Sequence, residues 1–180
     1  MSSQEHKAVA PDKVRVFVLT ISDTRTEETD AGGKSVADSL TKAGHVVVGK
    51  QIVKDEPAEV AAIVRQQAAS GAVDVIITTG GTGFTGRDVT PEAIEPLFEK
   101  RMDGFSIAFH MLSHAKIGAS TIQSRATAGV AGGTYLFALP GSPGACRDAW
   151  DDILVHQLDN RFRPCNFVEL MPRLQEHLKS

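Results

Sequence analysis

Asp88 closes a glycine-rich stretch, TTGGTGFTGRDVTPEA (78–93), in which Gly80, Gly81, Gly83 and Gly86 fall within seven positions. An apolar run from Val73 leads into it. Glycine permits positive φ and lets backbone N–H groups approach a ligand with no Cβ in the way. Where such a loop leads toward a helix, the exposed N–H groups and the helix dipole favour an anion, and phosphate is the natural occupant. A second loop of this type is LPGSPGACR (139–147), where Ser142 could cap a helix or donate to a phosphate oxygen. Asp88 has two readings, as a turn or cap residue close to Pro91 or as one of a pair of carboxylates. Its partner would be Asp55. Two carboxylates suffice for Mg²⁺, which takes one or two of them together with waters and substrate phosphates. Ser22 and Asp23 occupy a comparable place after the first apolar run, in a polar loop that solvent alone would also explain.

Elements of two kinds must position these residues. Val14–Ile21, His45–Val53, Val73–Thr78 and Tyr135–Leu139 are β-branched and apolar and read as buried strands. Between them lie helical patterns. Residues 32–44 place Val36, Leu40 and Ala43 at helical spacing and stop at Gly44. A helix opening at Pro57 carries Val60, Ile63 and Val64. Another opens at Pro91 with Ile94, Leu97 and Phe98, and 103–117 continues as a further helical segment. A long helix starts at Ser142-Pro143. Residues 121–131 are small, polar and β-branched, and fit a short strand less clearly. This alternation predicts an α/β fold with a mainly parallel sheet covered by helices on both faces. Right-handed crossovers bring the loops after the strands to one edge, where such sheets bind ligands. A single domain over 13–171 is expected, between polar tails at 1–12 and 172–180 that are mobile unless a partner holds them.

Several classes of chemistry are excluded. Gly81-Thr-Gly83-Phe-Thr-Gly86 matches G-x-G-x-x-G literally, but it follows the third strand and no helix opens inside it. The region about 20 residues on, near Asp103, is helical where a dinucleotide fold needs an acidic strand end. No Gly-Lys-Ser/Thr completes a Walker loop, and no G-x-S-x-G elbow supports a hydrolase triad. His110 and His114 are four apart but lack a third ligand. Cys146 and Cys165 belong to no close Cys/His cluster and read as free thiols in a reducing cytoplasm. The chain has 180 residues, 42% of them hydrophobic, and a formal charge of −3. That balance gives no reason to expect nucleic acid or an anionic membrane as partner. No run approaches the roughly 20 apolar residues of a membrane span, and the polar start, MSSQEHKAVAPDK, lacks a secretion signal.

Taken together, GGTGFTGRDVTPEA (80–93), LPGSPGAC (139–146), TISD (20–23) and SRATAG (124–129) resemble the MogA/MoaB family of molybdenum-cofactor biosynthesis, and with it the G domain of gephyrin. The likeness runs over roughly 13–167. MLSHAKIGASTIQSRATAGVA and RPCNF lean it toward the MoaB branch. The resemblance implies a three-layer α/β/α, molybdopterin-binding-like fold assembled as a trimer or dimer of trimers. It implies adenylyl transfer from Mg-ATP to molybdopterin with release of pyrophosphate, in the cytoplasm. By position it makes Asp55 and Asp88 the catalytic, Mg²⁺-handling residues. Gly80, Gly81, Thr82, Gly83, Pro140, Gly141, Ser142 and Pro143 would hold nucleotide and phosphate. Ser22, Asp23, Ser124 and Arg125 would surround the pterin or its phosphate. One departure stands out: the family often has Asp-x-Ser-Gly before the first helix, and this chain has Asp30-Ala31-Gly32-Gly33. The alternative function is a carrier that binds molybdopterin through the same loops without turning over ATP.

Overall fold

A computed structural model describes residues 11–178. The expected N-terminal tail lies outside them except for Pro11 and Asp12. Six strands form one sheet: β1 (Arg15–Ile21), β2 (Val46–Val53), β3 (Val75–Thr79), β4 (Lys100–Arg101), β5 (Thr127–Ala131) and β6 (Thr134–Leu139). Their order is β2-β1-β3-β6-β5-β4. The β1–β2, β1–β3 and β3–β6 pairs are parallel, so all four of these strands end at one edge. The β5–β6 and β4–β5 pairs are antiparallel. Residues 121–131, ambiguous in sequence, divide into a 3₁₀ turn, Gly118–Gln123, and the strand β5. The β5–β6 hairpin turns through Gly132 and Gly133, both at positive φ, a conformation that glycine adopts without strain.

Period-two alternation sends each strand's side chains to two separate cores. Val16 and Val18 of β1, Val75 and Ile77 of β3 and Tyr135, Phe137 and Leu139 of β6 face one way. There they meet α1 (Ala31–Lys42), α4 (Asp103–Ile117) and α5 (Pro143–Ala149). Phe17, Leu19, Ile21, Ile76, Leu136 and Ala138 face the other way, onto α2 (Pro57–Ala69) and α3 (Thr90–Ile94). The result is the expected three-layer α/β/α sandwich. The helix opening at Pro91 is shorter than its pattern suggests. It ends at Ile94 and a 3₁₀ turn, Glu95–Leu97, follows at once. The helix after Pro143 is interrupted by a π-helical turn, Trp150–Leu154, before α6 (Val155–Gln157). The segment expected as a C-terminal tail forms 3₁₀ turns at Val168–Arg173 and Glu176–Leu178. Met171 and Leu174 pack against the first core, since apolar side chains there gain by covering it. No helix among the described residues is long and apolar enough to cross a membrane.

The shared strand edge is held by direct backbone packing. Gly80 follows β3 with φ +97°, and a Cβ built on it would lie 2.2 Å from the Ile21 carbonyl oxygen at the end of β1. The Gly80 N–H donates to Leu139 O at 3.0 Å. Thr90, fully buried, donates its hydroxyl to Gly80 O at 2.8 Å. A Cβ on Gly141 would in turn lie 3.3 Å from the Gly80 Cα. Gly80→Ala therefore forces both left-handed backbone strain and a backbone clash. We predict a loss on the order of 3 kcal/mol, read as a lowered urea midpoint. A midpoint equal to that of the wild type would refute this packing.

Candidate functional site

A cavity of about 600 Å³ opens at this edge. Each parallel strand delivers a segment to its wall: Thr20, Ile21, Ser22, Thr24 and Arg25 at the end of β1, Asp55 after β2, residues 79–83 at the end of β3 and 140–143 after β6. Gly32 at the start of α1, Asp88, and Gln123 and Ser124 before β5 complete it. Of the residues singled out from sequence, Ser22, Asp55, Gly80, Gly81, Thr82, Gly83, Asp88, Ser124, Pro140, Gly141, Ser142 and Pro143 all lie on this one wall. Asp23 and Arg125 do not. The topology explains why these segments converge: the loops after the four parallel strands share one edge, and the antiparallel β5 starts at that same edge, just after Ser124.

Asp23 and Arg125 hold the walls together. Arg87 grips the Asp23 carboxylate through Nε at 2.8 Å and Nη2 at 2.9 Å, and its Nη2 also donates to Glu56 at 2.9 Å. This paired donation keeps the Asp23 carboxyl below the ordinary range. It ties the loop after β1 to the glycine loop and to the residue before α2. Arg125 donates from Nε to Gly83 O at 2.8 Å and from Nη2 to Asp88 O at 3.0 Å, and pairs with Glu92. The exposed ring of Phe84 lies 5.2 Å from its guanidinium carbon. The planar fork of arginine suits such simultaneous contacts. His110 supports the adjacent segment, with ring nitrogens 2.7 Å from Ser106 O and 3.0 Å from Ser124 O.

Asp88 fulfils the turn reading as well as lining the cavity. Its Oδ2 accepts from the Thr85 N–H at 2.8 Å and the Thr85 hydroxyl at 2.7 Å. A Cβ on Gly83 would lie 2.7 Å from the same oxygen, so glycine there makes room for the carboxylate. Asp55 is buried. Burial pushes its carboxyl up, the negative charge of Asp23 adds to this, and Asp88 pushes in the same direction. The Asp23 N–H and Arg87 act against the rise. An excess of negative charge therefore faces the cavity at Asp55 and Asp88, which a bound cation would relieve. Among the described residues no group of three or more His, Cys, Asp or Glu side chains could hold a metal. Asp55 and Asp88 are the carboxylates on the wall beside the glycine loops, and a hard cation such as Mg²⁺ takes one or two carboxylates together with other ligands. Ser142 caps α5 by accepting from the Ala145 N–H at 3.2 Å, which leaves its own O–H to donate.

Sequence reasoning gave no site role to Thr20, Thr24, Arg25, Asp30, Thr79 and Gln123, all on the cavity wall, where Gly32 of the departing Asp30-Ala31-Gly32-Gly33 segment also lies. Asp30 was legible as a helix cap, since it stands one residue before α1, and its Oδ1 accepts from the Gly33 N–H at 2.9 Å. Its other oxygen accepts from the Thr20 hydroxyl at 2.8 Å and lies 2.8 Å from Lys50 Nζ. No local signal announces that pair, because Lys50 comes from mid-β2. Gly32 has a packing role: a Cβ there would lie 2.9 Å from Gly141 O and 3.2 Å from the Thr79 hydroxyl. The missing side chain lets the second glycine loop settle against α1. Cys146, buried beneath that loop, is 3.3 Å from both the Thr79 hydroxyl and Pro140 O, and burial pushes its thiol up.

With this geometry in place, known proteins supply the class. Residues 17–160 match the family model described as "Probable molybdopterin binding domain". Molybdenum cofactor biosynthesis protein B of Escherichia coli K12 is 51% identical over 153 residues, covering 85% of this chain and 90% of that protein. Its Bacillus subtilis counterpart is 46% identical over 159 residues, covering 88% and 94%. A crystal structure of a molybdenum cofactor biosynthesis protein B superposes with a TM-score of 0.79 at 43% identity, covering 83% of this chain and 93% of that one. The tungsten cofactor synthesizing protein MoaB from Pyrococcus furiosus superposes with a TM-score of 0.72 at 37% identity, covering 81% and 92%. The chain belongs to this molybdopterin-binding-domain family, among the relatives of molybdenum cofactor biosynthesis protein B.

The buried pair beneath the cavity has a measurable consequence. Burial opposes the ionisation of Asp30 most strongly, but Lys50, the Gly33 N–H and the Thr20 hydroxyl together bring its carboxyl below the ordinary range. A depressed carboxyl contributes stability above its unfolded pKa of about 3.9 and loses it as pH falls through the lower folded value. Lys50→Met leaves the charge buried and unpaired, and we predict a loss of about 3 kcal/mol at pH 7. The deficit against the wild type should shrink as pH falls toward about 4 and Asp30 in the variant becomes protonated. Urea unfolding at both pH values checks this, and a deficit independent of pH would refute it.

Proposed function

We propose that this protein adenylylates molybdopterin, transferring AMP from Mg-ATP and releasing pyrophosphate. The observation that carries the reading is the convergence of both glycine loops and both carboxylates, Asp55 and Asp88, on one cavity. The cavity has the size of a small-molecule site. In the proposed reaction an oxygen of the pterin's phosphate monoester attacks the α-phosphorus of ATP, and the bond to the β-phosphate oxygen breaks. A phosphate monoester has its second pKa near 6, so at neutral pH it is already mostly ionised and needs no strong base. Positioning and relief of anion repulsion are what remain to be supplied.

The chain's own groups suit that task. The backbone N–H groups of Gly81, Thr82, Gly83, Gly141 and Ser142 and the Ser142 hydroxyl would offer donors to phosphate oxygens. Arg125 holds the Gly83 and Asp88 carbonyls and so keeps the first loop in shape. Ser22 and Ser124 line the same wall and would face the pterin. Asp55 and Asp88 would hold the magnesium ion that enters with ATP, which supplies neutralisation of phosphate charge. A non-catalytic molybdopterin carrier is the second reading. What favours it is that Asp88 spends one oxygen on Thr85, leaving a small donor set for a metal.

Assembly with further copies of this chain, as a trimer or dimer of trimers, belongs to the same reading. Phe105 and Phe109 of α4 enter the core, while Ile107, Met111 and Ile117 of the same helix are exposed, as are Ile122 and Phe84. Ile107 and Met111 are one helical turn apart, and exposed apolar side chains of this size are what an interaction surface would cover. We predict an oligomer in sedimentation at micromolar concentration, and a monomer there would count against it. For the chemistry, Asp88→Asn should keep the fold and lower Mg²⁺-dependent formation of adenylylated pterin by at least about 10²-fold. Turnover at the wild-type rate in that variant would remove Asp88 from the mechanism. Pterin binding without turnover in the wild type would establish the carrier.

A further inference from the structure

The charged groups at the cavity are unevenly matched. Asp30, Asp55 and Asp88 lie on its wall, and Arg25 is the only cationic side chain there among the described residues. Three basic groups near the wall are committed elsewhere. Lys50 pairs with Asp30, Arg87 with Asp23 and Glu56, and Arg125 with the loop carbonyls and Glu92. A multiply charged anion entering beside Asp55 and Asp88 needs a counter-charge, and backbone N–H groups carry only partial charge.

Arg25 is held in place for this role. Ser22 Oγ accepts from the Thr24 N–H at 3.2 Å and the Arg25 N–H at 3.1 Å, folding the chain back at the end of β1. The next residues are closed by Thr26 and Thr29: the Thr26 N–H donates to Thr29 Oγ1 at 2.9 Å, and the Asp30 N–H donates to Thr26 O at 2.9 Å. One guanidinium nitrogen, Nη1, donates to Thr29 O at 3.1 Å, which anchors the side chain along its own loop. Nε and Nη2 make no hydrogen bond among the described residues and remain for a ligand. A guanidinium that offers two adjacent donors matches two oxygens of one phosphate.

We propose that Arg25 is the phosphate-binding residue of this cavity, pairing with the phosphate monoester of the bound pterin. Resting on the proposed function, this assigns the substrate phosphate to the loop after β1. The loops at 80–83 and 140–143, with the two carboxylates, are left to the nucleotide. Asp23, two residues before it in that loop and bound by Arg87, then serves to keep Arg25 at the rim.

Calorimetric titration of the full chain tests this with molybdopterin and with its dephosphorylated form, on wild type, Arg25→Gln and Arg25→Lys. The wild type is expected to prefer the phosphorylated pterin. Arg25→Gln should weaken that ligand by about tenfold or more, the loss typical of a charged hydrogen bond. The dephosphorylated form should be unaffected, and Arg25→Lys should recover part of the loss. Equal loss for both ligands, or loss for neither, overturns the assignment while leaving pterin binding intact. If the wild type binds neither pterin, the functional reading fails instead. Inorganic phosphate titrated into the same proteins then decides Arg25 separately: weaker binding in Arg25→Gln supports a phosphate role, and equal affinity overturns it.

Discussion

The Ile21 carbonyl oxygen occupies the space that a side chain on Gly80 would need. The rest of the site depends on that contact. It joins the end of β1 to the end of β3, and Gly141 then packs against the same residue from the end of β6. Three loops meet backbone to backbone and together line one cavity. The buried Thr90 hydroxyl on Gly80 O extends the arrangement to the start of α3. Glycine at 80 and 141 is therefore a requirement of protein packing before it is a provision for ligands. The same holds at Gly83, where the missing Cβ makes room for the Asp88 carboxylate.

Charge is divided along a clear line. Arginines 87 and 125 are spent on the scaffold, one bridging Asp23 and Glu56, the other gathering carbonyls of the glycine loop. Carboxylates are left on the cavity wall, where burial and mutual repulsion push Asp55 up. A site built this way is unfavourable for an anion until cations are supplied. It therefore suits a substrate that arrives with its own counter-ion. Stability and binding pull in different directions here, as is common where a site keeps like charges together.

Much of this was legible in the sequence. The strands 14–21, 45–53, 73–78 and 135–139 differ from the observed ones by one or two residues at their ends, because β-branched runs bounded by turn formers leave few alternatives. The two glycine loops and both carboxylates were placed on one edge, since parallel topology leaves no other side for them. The segment 121–131 was not resolved in advance. Thr127–Ala131 is small and only weakly strand-like, and it becomes β5 through pairing with β6. The early end of the helix opening at Pro91 had a local signal in Pro96, which disfavours helix at Glu95, whereas no local pattern announces the π-helical turn at Trp150.

By itself, then, the sequence determined the order of elements, the edge on which the loops gather and the types of residue brought there. It could do so because periodicity and turn chemistry act over a few neighbouring residues. Only the tertiary structure decided which charged side chains face the cavity. Asp23 is turned to Arg87, 64 positions away, and Arg125 to Gly83, 42 positions away, while Asp30 and Arg25 join the wall. Those choices rest on distances between segments far apart in the chain, which no local pattern encodes.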